Sequence, residues 1–133
     1  MIYIESLRYI CILCTKENRS LFKTEDSKKK MREIILNYFD QMKEKEEEVN
    51  FISASINEKH VEITFETPSS IDLTRFISNF KSVSSRRFLI YLKSIRSNIS
   101  GVWTKNYLLA SQEDKLDQKI ESFLQVQEYK SML

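Results

Sequence analysis

The stretch His60-Val61-Glu62-Ile63-Thr64-Phe65-Glu66 alternates without a break. Val61, Ile63 and Phe65 fall on one side, and His60, Glu62, Thr64 and Glu66 on the other. A period of two is the pattern of a half-buried β-strand. Such a strand needs a sheet with one covered face, and the rest of the chain can be read as supplying it. The alternation also sets the chain's single histidine beside a carboxylate. Neutral imidazole and ionised carboxylate can share a divalent cation. The same pair suits the solvated side of an ordinary edge strand, and the strand alone leaves both readings open.

The flanking segments supply the sheet and its cover. Leu7 to Thr15 is short and rich in β-formers, which predicts a buried strand. Its Cys11 and Cys14 have a C-x-x-C spacing, but residues three apart on a strand face opposite ways, so both read as structural. After a polar loop, Met31, Ile34, Ile35, Tyr38, Phe39 and Met42 trace one helical face within Ser27–Glu48, capped by Asp26 or Ser27. The charge run Lys43–Glu48 should fray into solvent. Val49 to Ile56 forms a second strand, and Asn57-Glu58-Lys59 turns it into the His60 strand as a hairpin. Pro68 stops that strand.

Ser70 or Asp72 then caps a helix with Leu73, Phe76, Ile77 and Phe80. Ser84-Ser85-Arg86-Arg87 interrupts the apolar period and predicts the start of another helix. Hydroxyls and guanidinium groups at a helix N-terminus suit a phosphate, and a plain cap with solvated arginines fits equally well. Gly101 marks a turn before a last strand, Val102–Ser111. Ser111 and Asp114 begin a final helix with Leu116, Ile120, Phe123, Leu124 and Gln127 on one face. The order β-α-β-β-α-(α)-β-α predicts a single α+β domain over 1–133. Its fold class is a ferredoxin-like, split βαβ antiparallel sheet with helices on one side.

Composition excludes several classes of function. One Gly and one Pro leave no glycine-rich phosphate loop, and hence no nucleotide cofactor of the usual kind. No apolar segment is long enough to span a bilayer, so no membrane role is expected. The N-terminal stretch is interrupted by Glu5 and Arg8 and does not read as a signal peptide. Two cysteines without a secretory signal indicate a reducing, cytoplasmic setting. The net charge of +2 hides an asymmetry: Ile71–Lys105 carries seven basic residues against Asp72, whereas Asp40–Glu66 carries eight acids against three lysines. One basic side of the surface could meet nucleic acid, although a solvated helix face would look alike.

Several elements taken together resemble the HUH single-tyrosine transposases, both those of single-strand insertion sequences and the REP-associated tyrosine transposases. They are Arg8-Tyr9 with Thr15-Lys16, His60-Val61-Glu62 followed by Pro68, Lys81-Ser82-Val83-Ser84-Ser85-Arg86-Arg87, Trp103-Thr104-Lys105-Asn106-Tyr107 and Phe123-Leu124-Gln125-Val126-Gln127. The resemblance runs from about Leu7 to Gln127. It implies two histidines flanking a hydrophobic residue that bind Mg²⁺ or Mn²⁺ with help from a glutamine of the last helix. It also implies a tyrosine on that helix that attacks a phosphate, single-stranded and hairpin DNA as substrates, and a homodimer joined at a sheet edge. Mapped onto this chain, the metal residues are His60, Glu62 and Gln127. The nucleic-acid contacts chosen here are Lys81, Arg86, Arg87 and Lys105; Tyr107 or Trp103 could stack on bases, with a core role favoured for Trp103.

Two positions depart from that pattern. Glu62 stands where the second histidine is expected, and Phe123 where the nucleophile is expected. Glutamate can still ligate a hard cation, but phenylalanine cannot attack phosphorus. Tyr129, six residues on, points about 120° away around the helix and is the alternative nucleophile. The leading expectation is a diverged DNA-binding domain deficient in cleavage. The alternatives are a nickase that uses Tyr129 and an RNA-binding regulator, since such sheets also bind RNA.

Overall fold

The computed structural model describes residues 6–45, 49–68, 72–93, 101–111 and 116–131. Four strands, β1 (Ser6–Thr15), β2 (Asn50–Ile56), β3 (His60–Pro68) and β4 (Trp103–Ser111), alternate with α1 (Glu25–Glu44), α2 (Leu73–Lys93) and α3 (Leu116–Ser131). They form one antiparallel sheet in the order β2-β3-β1-β4. This is the interleaved pattern expected of two joined β-α-β units. β1, the most apolar strand, is therefore paired on both sides, and the edges belong to β2 and β4.

The two sheet faces follow from the period of two. Val61, Ile63 and Phe65 of β3 and Cys11 and Leu13 of β1 join one core with α1 and α2. From α1 it receives Met31, Ile34, Ile35, Tyr38, Phe39 and Met42, all buried as their spacing predicts. Aromatic rings close the layer: Phe39 packs against Phe65 and Phe76, and Tyr38 against Phe80. Each such side chain contributes about 1.5–3 kcal/mol by leaving water. Ile12 is also fully buried yet stands outside that core. Its cover comes from the other side, where α3 packs on β1, β4 and the 3₁₀ turn Lys16–Asn18. The helices thus lie on both faces, not on one side as the element order suggested.

Two helix boundaries also differ from the sequence reading. α1 begins earlier, because Thr24 is its cap: Thr24 Oγ1 accepts from Ser27 N, and Ser27 Oγ accepts from Thr24 N. Asp72 caps α2 by accepting from Arg75 N at 3.1 Å; Ser70, Glu46–Glu48 and Asp114 lie outside the described residues. The larger correction is that α2 is one continuous helix through Ser84-Ser85-Arg86-Arg87. No helix begins there, so no free N–H groups await a phosphate. Ser84 instead fills a slot in the apolar stripe. Its buried hydroxyl donates to Phe80 O at 2.7 Å and accepts from Trp103 Nε1 at 2.9 Å.

Candidate metal and nucleic-acid site

His60 enters β3 from a turn that is braced from outside the hairpin. Within the turn, Asn57 N donates to His60 O at 2.8 Å. From the end of β1, Thr15 N donates to Lys59 O at 2.9 Å, and Phe22 N donates to Glu58 O at 3.1 Å. The buried Thr15 hydroxyl sits 2.6 Å from Arg19 O and 3.1 Å from Lys59 O. These bonds fix where the strand starts, and so which side chain faces which way. Across the sheet His60 pairs with Cys14 and Glu62 with Ile12.

On the face opposite α1 and α2, Nε2 of His60 lies 3.5 Å from Oε1 of Glu62, with both side chains largely shielded. Asn57 Nδ2 is 3.1 Å from the same Nε2. Burial lowers the His60 pKa, and the Glu62 carboxylate raises it by less. The imidazole is therefore neutral at pH 7, the form that binds a metal. Two ligands held at right angles about 2.1 Å from a cation lie about 3 Å apart, so the spacing suits a shared ion. Among the described residues no three His, Cys, Asp or Glu side chains gather as a metal group. The pair fits a cation as two donors of the right kind, and a third must come from another residue type.

α3 carries the other two expected residues. Ile120, Phe123, Leu124 and Gln127 are half-buried, while Glu121, Ser122, Gln125, Val126 and Glu128 are exposed. The inward stripe is the one that the spacing predicts, and Phe123 and Gln127 share it one turn apart. Tyr129 belongs to α3, but its side chain lies outside the described residues.

The four cations chosen from sequence differ in what they contact. Lys81 and Lys105 meet: Lys81 Nζ donates to Lys105 O at 3.0 Å and lies 5.7 Å from the Tyr107 ring centre. Partial burial lowers the Lys81 pKa. Arg86 is exposed, whereas Arg87 turns to α1 and donates to Gln41 Oε1 at 2.9 Å. Trp103 is buried against Phe22 and serves the core, not a base. Sequence reasoning placed Asn57 and Thr15 but missed their contacts with the His60 turn. A turn asparagine three residues before a histidine is the local signal for the first. The second depends on a contact between distant segments and has none.

Residues 3–127 match the family model described as IS200-like transposase. In structure, the chain is similar to a transposase candidate from Deinococcus radiodurans R1, with a TM-score of 0.83 and 14% identity, covering 96% of this chain and 95% of that one. It is also similar to a REP-associated tyrosine transposase bound to a REP hairpin, with a TM-score of 0.55 and 10% identity, covering 91% of this chain and 66% of that one. No curated protein is similar enough in sequence to count as a relative.

Proposed function

Because the chain belongs to the IS200-like transposase family, we propose that it binds hairpin or single-stranded DNA and does not cut it. The observation that carries this reading is Phe123 on the inward face of α3, one turn from Gln127. A transposase of this kind needs a hydroxyl at that place, and a phenyl ring has no oxygen to attack phosphorus. The chemistry of the family is generally metal-dependent. His60, Glu62 and Gln127 are the residues proposed to hold Mg²⁺ or Mn²⁺, which when bound would neutralise charge on a backbone phosphate. The protein's own part is to orient that phosphate on the polar sheet face, while Arg86, Lys105 and Lys81 on the α2 side of the sheet bind DNA backbone further along. Binding of a REP hairpin by the similar transposase supports a hairpin as the ligand here.

A homodimer joined through β4 accompanies this reading. β1 is interior, so of the apolar strands β1 and β4 only β4 offers an edge to a partner. Tyr107, Leu108, Leu109 and Ala110 give that edge an apolar run beyond the register shift between Trp103 and Tyr107, and the β2 edge, with its own shift between Phe51 and Ser53, has no run of that length. Light scattering should give about twice the 15.9 kDa chain mass; a monomer throughout the micromolar range contradicts the dimer.

The binding assay is a native gel shift with a DNA hairpin, its unpaired scramble and an RNA hairpin of the same sequence. Preference for the DNA hairpin supports the proposal. Equal retention of all three, or preference for RNA, contradicts it.

A further inference from the structure

The cation site proposed above has two donors in β3, and the side chain already touching His60 there is Asn57. We propose that Asn57 joins this site, so that His60, Glu62 and the Asn57 amide oxygen give three donors on the β2–β3 hairpin, to which Gln127 of α3 adds a fourth. This rests on the cation reading of the pair and adds a residue that the transposase comparison does not assign.

The geometry leads to Asn57 directly. Its Nδ2 stands 3.1 Å from His60 Nε2, the nitrogen that also faces Glu62 Oε1 at 3.5 Å. In the tautomer that leaves Nε2 unprotonated, the amide N–H donates to the imidazole lone pair and occupies the place of a cation. A carboxamide reverses by rotating about its last side-chain bond, which exchanges its nitrogen and oxygen. The reversed group presents Oδ1 toward the same point.

Ser55 makes the reversal inexpensive. Its Oγ lies 3.4 Å from Asn57 Nδ2 and accepts from it. A hydroxyl both donates and accepts, so Ser55 can donate to Oδ1 after the reversal. The backbone bond from Asn57 N to His60 O is unaffected by either orientation. Thr15 and Phe22 hold the turn, so the three donors keep their spacing. Neutral imidazole, carboxylate and amide oxygens together suit Mg²⁺ or Mn²⁺. Since all three residues lie between Asn57 and Glu62, the hairpin supplies three donors before α3 adds Gln127.

The test is titration of the full-length protein with Mn²⁺ alone, with the free ion read by electron paramagnetic resonance. Asn57→Leu removes both donor and acceptor and should weaken binding roughly tenfold. Asn57→Asp adds a charged oxygen in the same shape and should tighten it by a similar factor. Opposite shifts identify a ligand, because a merely structural role moves both variants the same way; circular dichroism checks that both remain folded. If both variants bind as the wild type does while His60→Ala loses the ion, Asn57 is not a ligand and the cation reading stands. A wild type that binds no Mn²⁺ at millimolar concentration overturns the cation reading and this inference together. The gel shift then judges DNA binding separately.

Discussion

Nε2 of His60 stands 3.5 Å from Oε1 of Glu62, and Val61 between them turns into the core on the other side of the sheet. Two groups on one face with an apolar anchor between them is what a strand period of two delivers. Burial, partly offset by Glu62, holds the His60 pKa below its ordinary 6.5. The folded imidazole therefore binds a proton more weakly than the unfolded one.

Between the folded value and 6.5 the unfolded chain holds more protons, so stability falls as pH drops through that window. Above 6.5 the residue is neutral in both states and adds no pH dependence. His60 is the only histidine, so its ring protons give a single titration in a nuclear magnetic resonance spectrum. The expected midpoint lies below 6.5, and a midpoint above it contradicts the assignment.

Ser84 should matter to stability and not to DNA. Ser84→Ala leaves the Trp103 indole N–H buried without its acceptor. The cost should be about 1–3 kcal/mol by urea denaturation. Hairpin affinity of the folded variant should be unchanged; a large loss of affinity at full stability would return Ser84 to the phosphate site.

Arg86 and Arg87 should separate in the same way. Arg86→Ala should weaken hairpin binding and lower the slope of log affinity against log salt by roughly 0.9, the share of one phosphate contact. Arg87→Ala removes the bond to Gln41 and should cost about 0.5–1.5 kcal/mol of stability. If Arg86→Ala leaves both affinity and slope unchanged, the basic surface of α2 is not the binding surface.

The elements that a reader of the sequence can find are those with an uninterrupted period. The β3 alternation, the α1 stripe and the Ile120-Phe123-Leu124-Gln127 face of α3 are local patterns, and each landed where its spacing put it. Ser84 misled because a serine in an apolar stripe looks like a break. Its partner, Trp103, is distant in sequence, and only the fold brings the two together. The placement of α3 on the second face was hidden for a related reason. Ile12 and Cys11 look equally apolar, and nothing local says that different helices cover them. The Asn57–His60 contact lies within one turn, but the side-chain meeting depends on how Thr15 and Phe22 hold that turn.

On the proposed reading, the missing oxygen at Phe123 leaves a domain that binds DNA and cannot cut it. The most direct measurement is the intact mass of the protein after incubation with single-stranded hairpin DNA and Mn²⁺. The wild type should keep its mass, with no phosphotyrosine adduct and no shortened DNA. Phe123→Tyr combined with Glu62→His should restore some adduct, by placing a hydroxyl one turn from Gln127 and removing a negative charge beside the phosphate. A wild-type adduct that disappears in Tyr129→Phe would contradict the account and make Tyr129 the nucleophile.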